Sequence, residues 1–358
     1  MEIDRRHFLA LSALAMMPGT AFAAPHKGGV IGCAERDGGY VAARWDWQGG
    51  LRYTVDLPER GHGLALRPGS VEAVFPARRP ETFCTVLNAE TGSVLKEFDS
   101  PDGRHFYGHG AFDPSGQFLY TPENDYDAGR GVIGIWDASD DYRRVGEFDA
   151  GGIGPHEMIL MPDGQTLAVC IGGIDTHPDY GREMLNLPTM EPALTFIDLQ
   201  GNLLARHQLP HEWHRLSLRH LSADAAGTVL IGGQYAGPLT DLVPLVVKGT
   251  LDNGLEIVPV PEEVILGMAH YCGSVALSGG EALVTCPRGN LAIRFPLNDP
   301  LAIQKIDLHD VCGAAAEPDG FALTTGTGIV TRIGPDGSET FQATDPSGLH
   351  WDNHLAVV

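Results

Sequence analysis

The sequence has little positive charge. It contains 24 Lys and Arg against 46 Asp and Glu, so the formal net charge of its 358 residues is −22. Such an acidic surface argues against binding to nucleic acid or to anionic membranes. No stretch is apolar over about 18 residues, so we expect no membrane insertion. We expect a monomer.

Several cofactor and catalytic motifs are also missing. The sequence has no CxxC or CxxCH pair, which excludes covalent attachment of a c-type haem. It has no GxxxxGK phosphate loop, no GxSxG elbow and no HExxH helix, and we predict no nucleotide cofactor. The six cysteines are therefore not arranged as a haem or redox motif, and their pairing is left open by the sequence.

The N-terminal segment is typical of an export signal. Arg5 and Arg6 precede a modest apolar run over residues 9–17, and Ala21-Phe22-Ala23 fits a small-x-small cleavage site. This pattern indicates a twin-arginine signal peptide over residues 1–23 and a periplasmic mature protein over residues 24–358. A short membrane anchor is the alternative, although the run is too short to span a bilayer.

The rest of the chain is a repeat. Apolar strand-like runs begin at a His or Cys, at spacings of 40 to 64 residues, and a turn glycine follows the first six starts. The starts are His62, His109, His156, His220, Cys272, Cys312 and His354. Each repeat divides into four short runs rich in β-branched and apolar residues between Gly, Pro and Asp turns, which favours strands over helices.

Four strands per repeat of this length predict one β-propeller blade. Three strand-like runs precede the first His-led repeat and one follows the last, so the two chain ends together supply four strands. We therefore predict an all-β, seven-bladed β-propeller in a single domain, with its last blade closed by the N-terminal strands and the C-terminal strand.

In a propeller the first strand of each blade lines the central channel, so the repeated starts should meet at one channel mouth. The longest loops, including residues 172–192, should emerge on the same face, and long loops in compact domains are usually functional. Imidazole is a usual ligand of zinc, copper and iron. The candidate metal ligands are His62, His109, His156, His220 and His354, followed by Glu157 and His177.

Each of these features has a structural alternative. Gly61-His62 and Gly108-His109 resemble the Gly-His pairs of WD-type propellers, in which the imidazole belongs to a structural hydrogen-bond network. Cys272 and Cys312 begin adjacent blades and are candidates for a disulfide in an exported protein. Arginines near the loops of this face can clamp an anionic ligand or be ordinary surface residues. These arginines are Arg78, Arg79, Arg130, Arg182 and Arg288.

A set of short segments resembles a known family across nearly the whole mature chain. The segments are RGHG (60–63), YGHG (107–110), GIGPHE (152–157), GGIDTHPDYGREMLNL (172–187), RHL (219–221), GSVA (273–276), DVCG (310–313) and WDNH (351–354). They resemble the bacterial family catalogued as domain of unknown function 1513. The resemblance implies a twin-arginine signal, a propeller-like domain and periplasmic partners, either an imelysin-type protein or a haem-containing oxidoreductase-like protein.

These observations favour a periplasmic protein that binds a transition metal ion, iron or copper with zinc as a further possibility, or a metal-bearing partner, for metal acquisition. Two other functions stay open. One is a metal-dependent propeller enzyme, either a lactonase-like hydrolase or an oxidoreductase. The other is a scaffold that binds proteins through its rim, with structural histidines.

Overall fold

A computed structural model describes residues 28–334, 336–337, 339–344 and 348–358. The predicted signal peptide over residues 1–23 lies outside the described residues. None of the helices among the described residues is both long enough and apolar enough to cross a membrane.

The described residues are mostly short strands. The first half contains β1 (Gly29–Arg36), β2 (Gly39–Asp46), β3 (Gly50–Leu57), β4 (Ala65–Leu66), β5 (Glu72–Pro76), β6 (Phe83–Asn88), β7 (Val94–Asp99), β8 (Arg104–Phe106), β9 (Ala111–Phe112), β10 (Phe118–Asp125), β11 (Arg130–Asp137), β12 (Arg143–Asp149), β13 (Pro155–Leu160) and β14 (Thr166–Ile171). The second half contains β15 (Ala193–Asp198), β16 (Leu203–His207), β17 (Leu216–Ala223), β18 (Val229–Tyr235), β19 (Val246–Gly249), β20 (Leu255–Ile257), β21 (Ser274–Ser278), β22 (Glu281–Cys286), β23 (Leu291–Pro296), β24 (Gln304–Asp307), β25 (Val311–Glu317), β26 (Gly320–Thr325), β27 (Ile329–Ile333), β28 (Glu339–Thr344) and β29 (His350–Val357).

Helices are short and lie in the connections. Among the described residues, the α-helix is α1 (Glu262–Gly267), and the 3-10 helices are η1 (Pro178–Tyr180), η2 (Leu187–Thr189), η3 (His211–Trp213) and η4 (Pro287–Gly289). The chain is thus all-β, as predicted.

The strands form sheets that follow chain order. Four antiparallel sheets contain β4–β7, β13–β16, β17–β20 and β21–β24, and a fifth runs β12-β11-β10-β8 with β9 also paired to β10. The last sheet has the order β28-β27-β26-β25-β29-β1-β2-β3. Its two four-stranded halves are joined at a parallel pair, Ala314 with His354. Consecutive strands that pair as a meander are typical of propeller blades.

The chain ends meet in one sheet. The C-terminal strand β29 pairs antiparallel with β1, with Val30 opposite Val357 and Gly32 opposite Leu355. The predicted joining of the N-terminal strands to the C-terminal strand is therefore observed.

The last strand of a sheet is more exposed than its inner strands. In the sheet of β13–β16, every residue of β14 is buried, whereas β16 has exposed leucines at Leu203 and Leu204. The turn after the first strand adopts positive φ at the repeat glycines, for example 67° at Gly69 and 67° at Gly164, a conformation that disfavours other residues. The repeat read from the sequence is therefore a repeat of turns and of inner strands.

Candidate metal centre

The five histidines of the repeat meet at one place. His62 and His109 lie immediately before β4 and β9, whereas His156, His220 and His354 lie within β13, β17 and β29. Their ring centroids are 4.6 to 6.1 Å apart in the contacting pairs, and their exposed fractions are 7% or less. We call these five residues the histidine cluster.

Irregular pairing in the inner strands positions part of the cluster. The ladder shifts register between Pro155 and Met158 in β13, and between Leu218 and His220 in β17. The β1–β29 ladder also shifts, opposite the segment that contains His354. A β-bulge re-aims side chains that regular alternation would send to opposite faces. Bulged strand starts therefore bring neighbouring polar residues to the same end of the sheets.

A buried carboxylate orients His62. The Oδ1 atom of Asp352 lies 2.9 Å from Nδ1 of His62, and its Oδ2 atom lies 2.7 Å from the Arg60 guanidinium. Against the effect of burial, the hydrogen bond from His62 and the positive charge of Arg60 hold the pKa of Asp352 well below its usual range. Because an ionised carboxylate only accepts, Nδ1 of His62 donates, and Nε2 keeps its lone pair for another partner.

A second acid lies beside two other members. The Oε2 atom of Glu157 shares a hydrogen bond with Nδ1 of His220 at 3.0 Å, and Oε1 lies 3.8 Å from Nδ1 of His109. The Glu157 side chain is 16% exposed, and burial raises its pKa to about 8. Carboxylates beside imidazoles are the usual outer partners of histidine ligands, and Glu157 can also donate an oxygen directly.

Half of the ring nitrogens in the cluster lack a hydrogen-bond partner. Within the part of the chain that the structure describes, Nε2 of His62, His109 and His354 is buried without a hydrogen bond, and so are both nitrogens of His156. A buried polar atom left without a partner costs about 1–3 kcal/mol. Several such atoms at one point form a set of donors whose cost a bound ion would remove.

The imidazoles of the cluster are neutral. Burial lowers the pKa of His62 to about 4, despite the opposing hydrogen bond that His62 donates to Asp352. Burial and the charges of neighbouring groups lower the pKa values of His109, His156, His220 and His354 well below the usual histidine range. Neutral imidazole is the form that binds metal ions, so the cluster is in its binding form at neutral pH.

The donor atoms fall into two overlapping groups. One contains His109, Glu157, His220 and His354, and the other contains His62, His109 and His156, with one donor atom from each residue within 4.8 Å of the others in its group. In a tetrahedral site with ligands about 2.1 Å from the metal, donors lie roughly 3.4 Å apart, so only a modest contraction is needed. The unpartnered nitrogens and the nitrogen-rich donor set fit a transition metal ion.

His177, the remaining predicted ligand, lies elsewhere. Its Nδ1 accepts a hydrogen bond from the backbone of Asp179, and its ring packs edge-on against Tyr126 at 5.1 Å. It is in neither donor group. The long loop over residues 172–192 therefore carries a histidine that caps η1 instead of extending the cluster.

The predicted Cys272–Cys312 disulfide is not formed, and all six cysteines are free thiols in the structure. Sγ of Cys272 lies 3.7 Å from the carbonyl of Leu245, and Sγ of Cys312 lies 3.2 Å from that of Trp351. The two thiols belong to different apolar clusters, since each turns into the packing beside its own strand. Strand starts that are adjacent in the repeat therefore do not bring the side chains of Cys272 and Cys312 face to face.

Asp352, Arg60 and Arg219 were missed as functional candidates. A signal was present for two of them, because Asp352 precedes His354 by two residues and Arg60 precedes His62 by two, a spacing that places side chains on one face of a strand. Arg219 had no such signal, because its direction depends on the bulge in β17.

Fold and site together define a propeller-like β protein with a buried histidine cluster where its inner strands converge. The chain belongs to the family described as protein of unknown function (DUF1513), whose family model matches residues 55–358. The family predicted from the short segments is thus confirmed.

Two solved structures are similar to this chain. Hydrazine synthase of Kuenenia stuttgartiensis matches with a TM-score of 0.60 and 12% identity, over 93% of this chain and 100% of that chain. A nidogen/laminin complex matches with a TM-score of 0.45 and 11% identity, over 91% of this chain and 97% of that chain. The first supports the fold alone, and the second carries no argument. A search of curated proteins gave no match.

Proposed function

We propose that this protein binds a transition metal ion, iron or copper in the first place, at the histidine cluster. The observation that carries the proposal is the set of buried, neutral imidazoles, four of which have at least one ring nitrogen without a partner among the described residues. His109, His220, His354 and Glu157 would hold the ion, and His62 and His156 would complete the surroundings. The nitrogen lone pairs, which are otherwise buried without a partner, would bind the positively charged ion.

The outer partners support the same proposal. Asp352 fixes the ring of His62, and Glu157 fixes that of His220, through Nδ1 hydrogen bonds of 2.9 and 3.0 Å. A carboxylate that orients an imidazole also increases its basicity as a ligand. Purely structural histidines would be expected to use both ring nitrogens in hydrogen bonds, which His62, His109 and His156 do not.

The wider setting is also proposed. We propose seven blades, counting the two halves of the eight-stranded sheet separately, because each half has the four-stranded order of the other sheets. We propose export to the periplasm by the twin-arginine route, which the Arg5-Arg6 pair and the following apolar run support. Metal acquisition, with an imelysin-type or haem-containing oxidoreductase-like partner, is the role proposed for the bound ion.

Calorimetric titration tests the proposal directly. Mature protein, stripped of metal by a chelator that is then removed by dialysis, is titrated at pH 7.5 with Fe²⁺ under nitrogen, and with Cu²⁺ and Zn²⁺. We expect one ion to bind per chain. A double variant, His109→Ala with His220→Ala, should lose at least about 100-fold in affinity, since loss of even an outer partner costs about 10- to 100-fold.

The matched control is His309→Ala, which removes an exposed imidazole outside both donor groups. It should bind metal as the wild type does. Circular dichroism verifies that the double variant is folded. Failure of all three ions to bind the wild type, or equal binding by the folded double variant, would refute the proposal.

A further inference from the structure

Three arginines lie beside the histidine cluster without acidic partners. Arg78 follows β5, and its backbone N–H donates to the carbonyl of Arg60 at 3.1 Å, while Arg79 is next in the chain. Arg219 occupies the bulged position of β17, directly before His220. We call Arg78, Arg79 and Arg219 the arginine group. All three are half-buried.

The lack of a directly paired acid in this group is unusual for this chain, although the charge of Asp352 acts on Arg78. No carboxylate among the described residues lies within 4.0 Å of a guanidinium nitrogen of the arginine group, and Nε of Arg219 is buried without a hydrogen bond. By contrast, Arg60 is paired with Asp352, and Arg144 with Glu123. Acidic residues outnumber basic residues almost two to one in the sequence. Three neighbouring arginines without a paired acidic residue therefore mark a specialised place.

The charges of the group act on one another. Burial and the charges of Arg79 and Arg78 lower the pKa of Arg219 to about 10. Burial and the Arg60 charge lower the pKa of Arg78, and burial and the Arg182 charge lower that of Arg79. Repulsion of this kind is relieved when an anion binds among the guanidinium groups.

The group also adjoins the proposed metal ligands. The positive charge of Arg219 acts on His109, His156 and His354, and that of Arg78 acts on His62 and His109. His156, which is 2% exposed and has no hydrogen bond on either ring nitrogen, faces the ring of Tyr107 at 6.3 Å. The positive groups and the unpartnered imidazoles therefore share one end of the sheets.

We propose that the arginine group binds a small oxyanion, a carboxylate or a phosphate, beside the histidine cluster. Guanidinium groups bind both anions through paired, charge-assisted hydrogen bonds, and a local group of positive charges on an acidic protein attracts the anion selectively. The proposal needs no bound metal, because it depends on the arginines and not on the imidazoles.

The test uses the full mature chain freed of metal, with the chelator removed by dialysis because it is itself a polycarboxylate. Inorganic phosphate and citrate are titrated in separate arms by calorimetry, and thermal unfolding is followed in parallel. We expect at least one arm to bind, to weaken as NaCl is raised from 20 to 300 mM, and to raise the unfolding temperature. The arm that binds more tightly identifies the oxyanion class.

Variants decide whether the arginine group is responsible. Arg219→Gln and, separately, Arg78→Gln should each weaken anion binding about tenfold or more. Arg143 of β12 is exposed and paired with Asp140, so Arg143→Gln should have no effect. If one variant does not fold, the other decides. Absence of binding in both arms for the wild type, or equal binding by a folded group variant, overturns the proposal. Metal binding by the same samples separates this result from that of the proposed function.

Discussion

The seven strand starts of the repeat are equivalent positions in the sequence, but their side chains have two different roles. At the five His-led starts the side chain reaches the shared centre, and ring centroids approach to 4.6 Å. At the two Cys-led starts the thiol packs away from it, with Cys272 among the residues around β18 and β22 and Cys312 beside Trp351. Both kinds of start are buried, so burial alone does not distinguish them.

The difference teaches that residue type decides the role of an equivalent backbone position. A bulge occurs at Cys312, between Val311 and Gly313, as it does near His156 and before His220. An imidazole is long and needs polar partners, so it extends to the polar centre. A thiol behaves as a small apolar group and fills the packing between strands. Burial raises the pKa of Cys312, so the thiol stays protonated and is a poor ligand.

The largest expected effect is on the pH dependence of the free energy of unfolding, to which the His-led starts contribute and the Cys-led starts do not. In the metal-free, folded protein, His62 has a pKa of about 4 and is neutral above that pH. In the unfolded protein, a histidine takes up a proton near pH 6.5. As pH falls from 6.5 to 4, His62 is protonated in the unfolded state but stays neutral in the folded state. This difference alone lowers the free energy of unfolding by about 3 kcal/mol. The other four histidines act in the same direction, whereas protonated cysteines contribute nothing in this range.

Urea denaturation of metal-free protein between pH 7.5 and 4.5 measures this effect. Glu157 acts with the opposite sign, because its raised pKa of about 8 stabilises the folded state as pH falls through that value, but it is one group against five. Replacing His156 with Gln should flatten the pH dependence by the share of one histidine. A free energy of unfolding that is constant from pH 7.5 to 5 would show that the cluster is protonated when folded.

The next effect compares two residues on neighbouring strands, His354 and Cys312. We expect His354→Ala to weaken metal binding about 100-fold or more, since it removes a proposed ligand. Cys312→Ala should change metal affinity less than about twofold, while lowering stability by about 1 kcal/mol through lost packing. Calorimetry and urea denaturation on both variants give the two numbers. Equal losses of affinity would erase the distinction between the His-led and Cys-led starts.

A smaller effect is expected from Asp352, which orients His62 in the surroundings of the proposed ion. Asp352→Asn keeps the shape of the side chain but removes the charge that accepts from Nδ1 of His62 and pairs with Arg60. We expect metal affinity to fall about 10- to 100-fold. Asp140→Asn, at an exposed ion pair on the outer strand side, is the matched control. An unchanged affinity in Asp352→Asn would place His62 outside the metal's surroundings.

The fold and most of the cluster could be predicted because both follow from spacing. The turn glycines and the His or Cys starts repeat at the blade length, and five histidines at equivalent positions must meet if the sheets are arranged around an axis. The role of Arg219 could not be predicted, because it depends on a bulge that changes where its side chain points. His177 was predicted from loop length alone, and its local cap on η1 depends on contacts that spacing does not encode.

The smallest effect concerns Glu157, the acid that the cluster encloses. Its pKa of about 8 means that it carries a proton at pH 7 in metal-free protein, whereas the neutral imidazoles have none to lose. Metal binding should therefore release about one proton per ion at pH 7, and the ionisation should oppose binding by about 1.4 kcal/mol, the value of one pKa unit. Titrations in buffers of different ionisation enthalpy count the proton. In Glu157→Gln the count should fall to near zero, whereas Cys272→Ala should leave it at one. A release of several protons by the wild type would mean that the histidines, and not Glu157, are the protonated groups of the cluster.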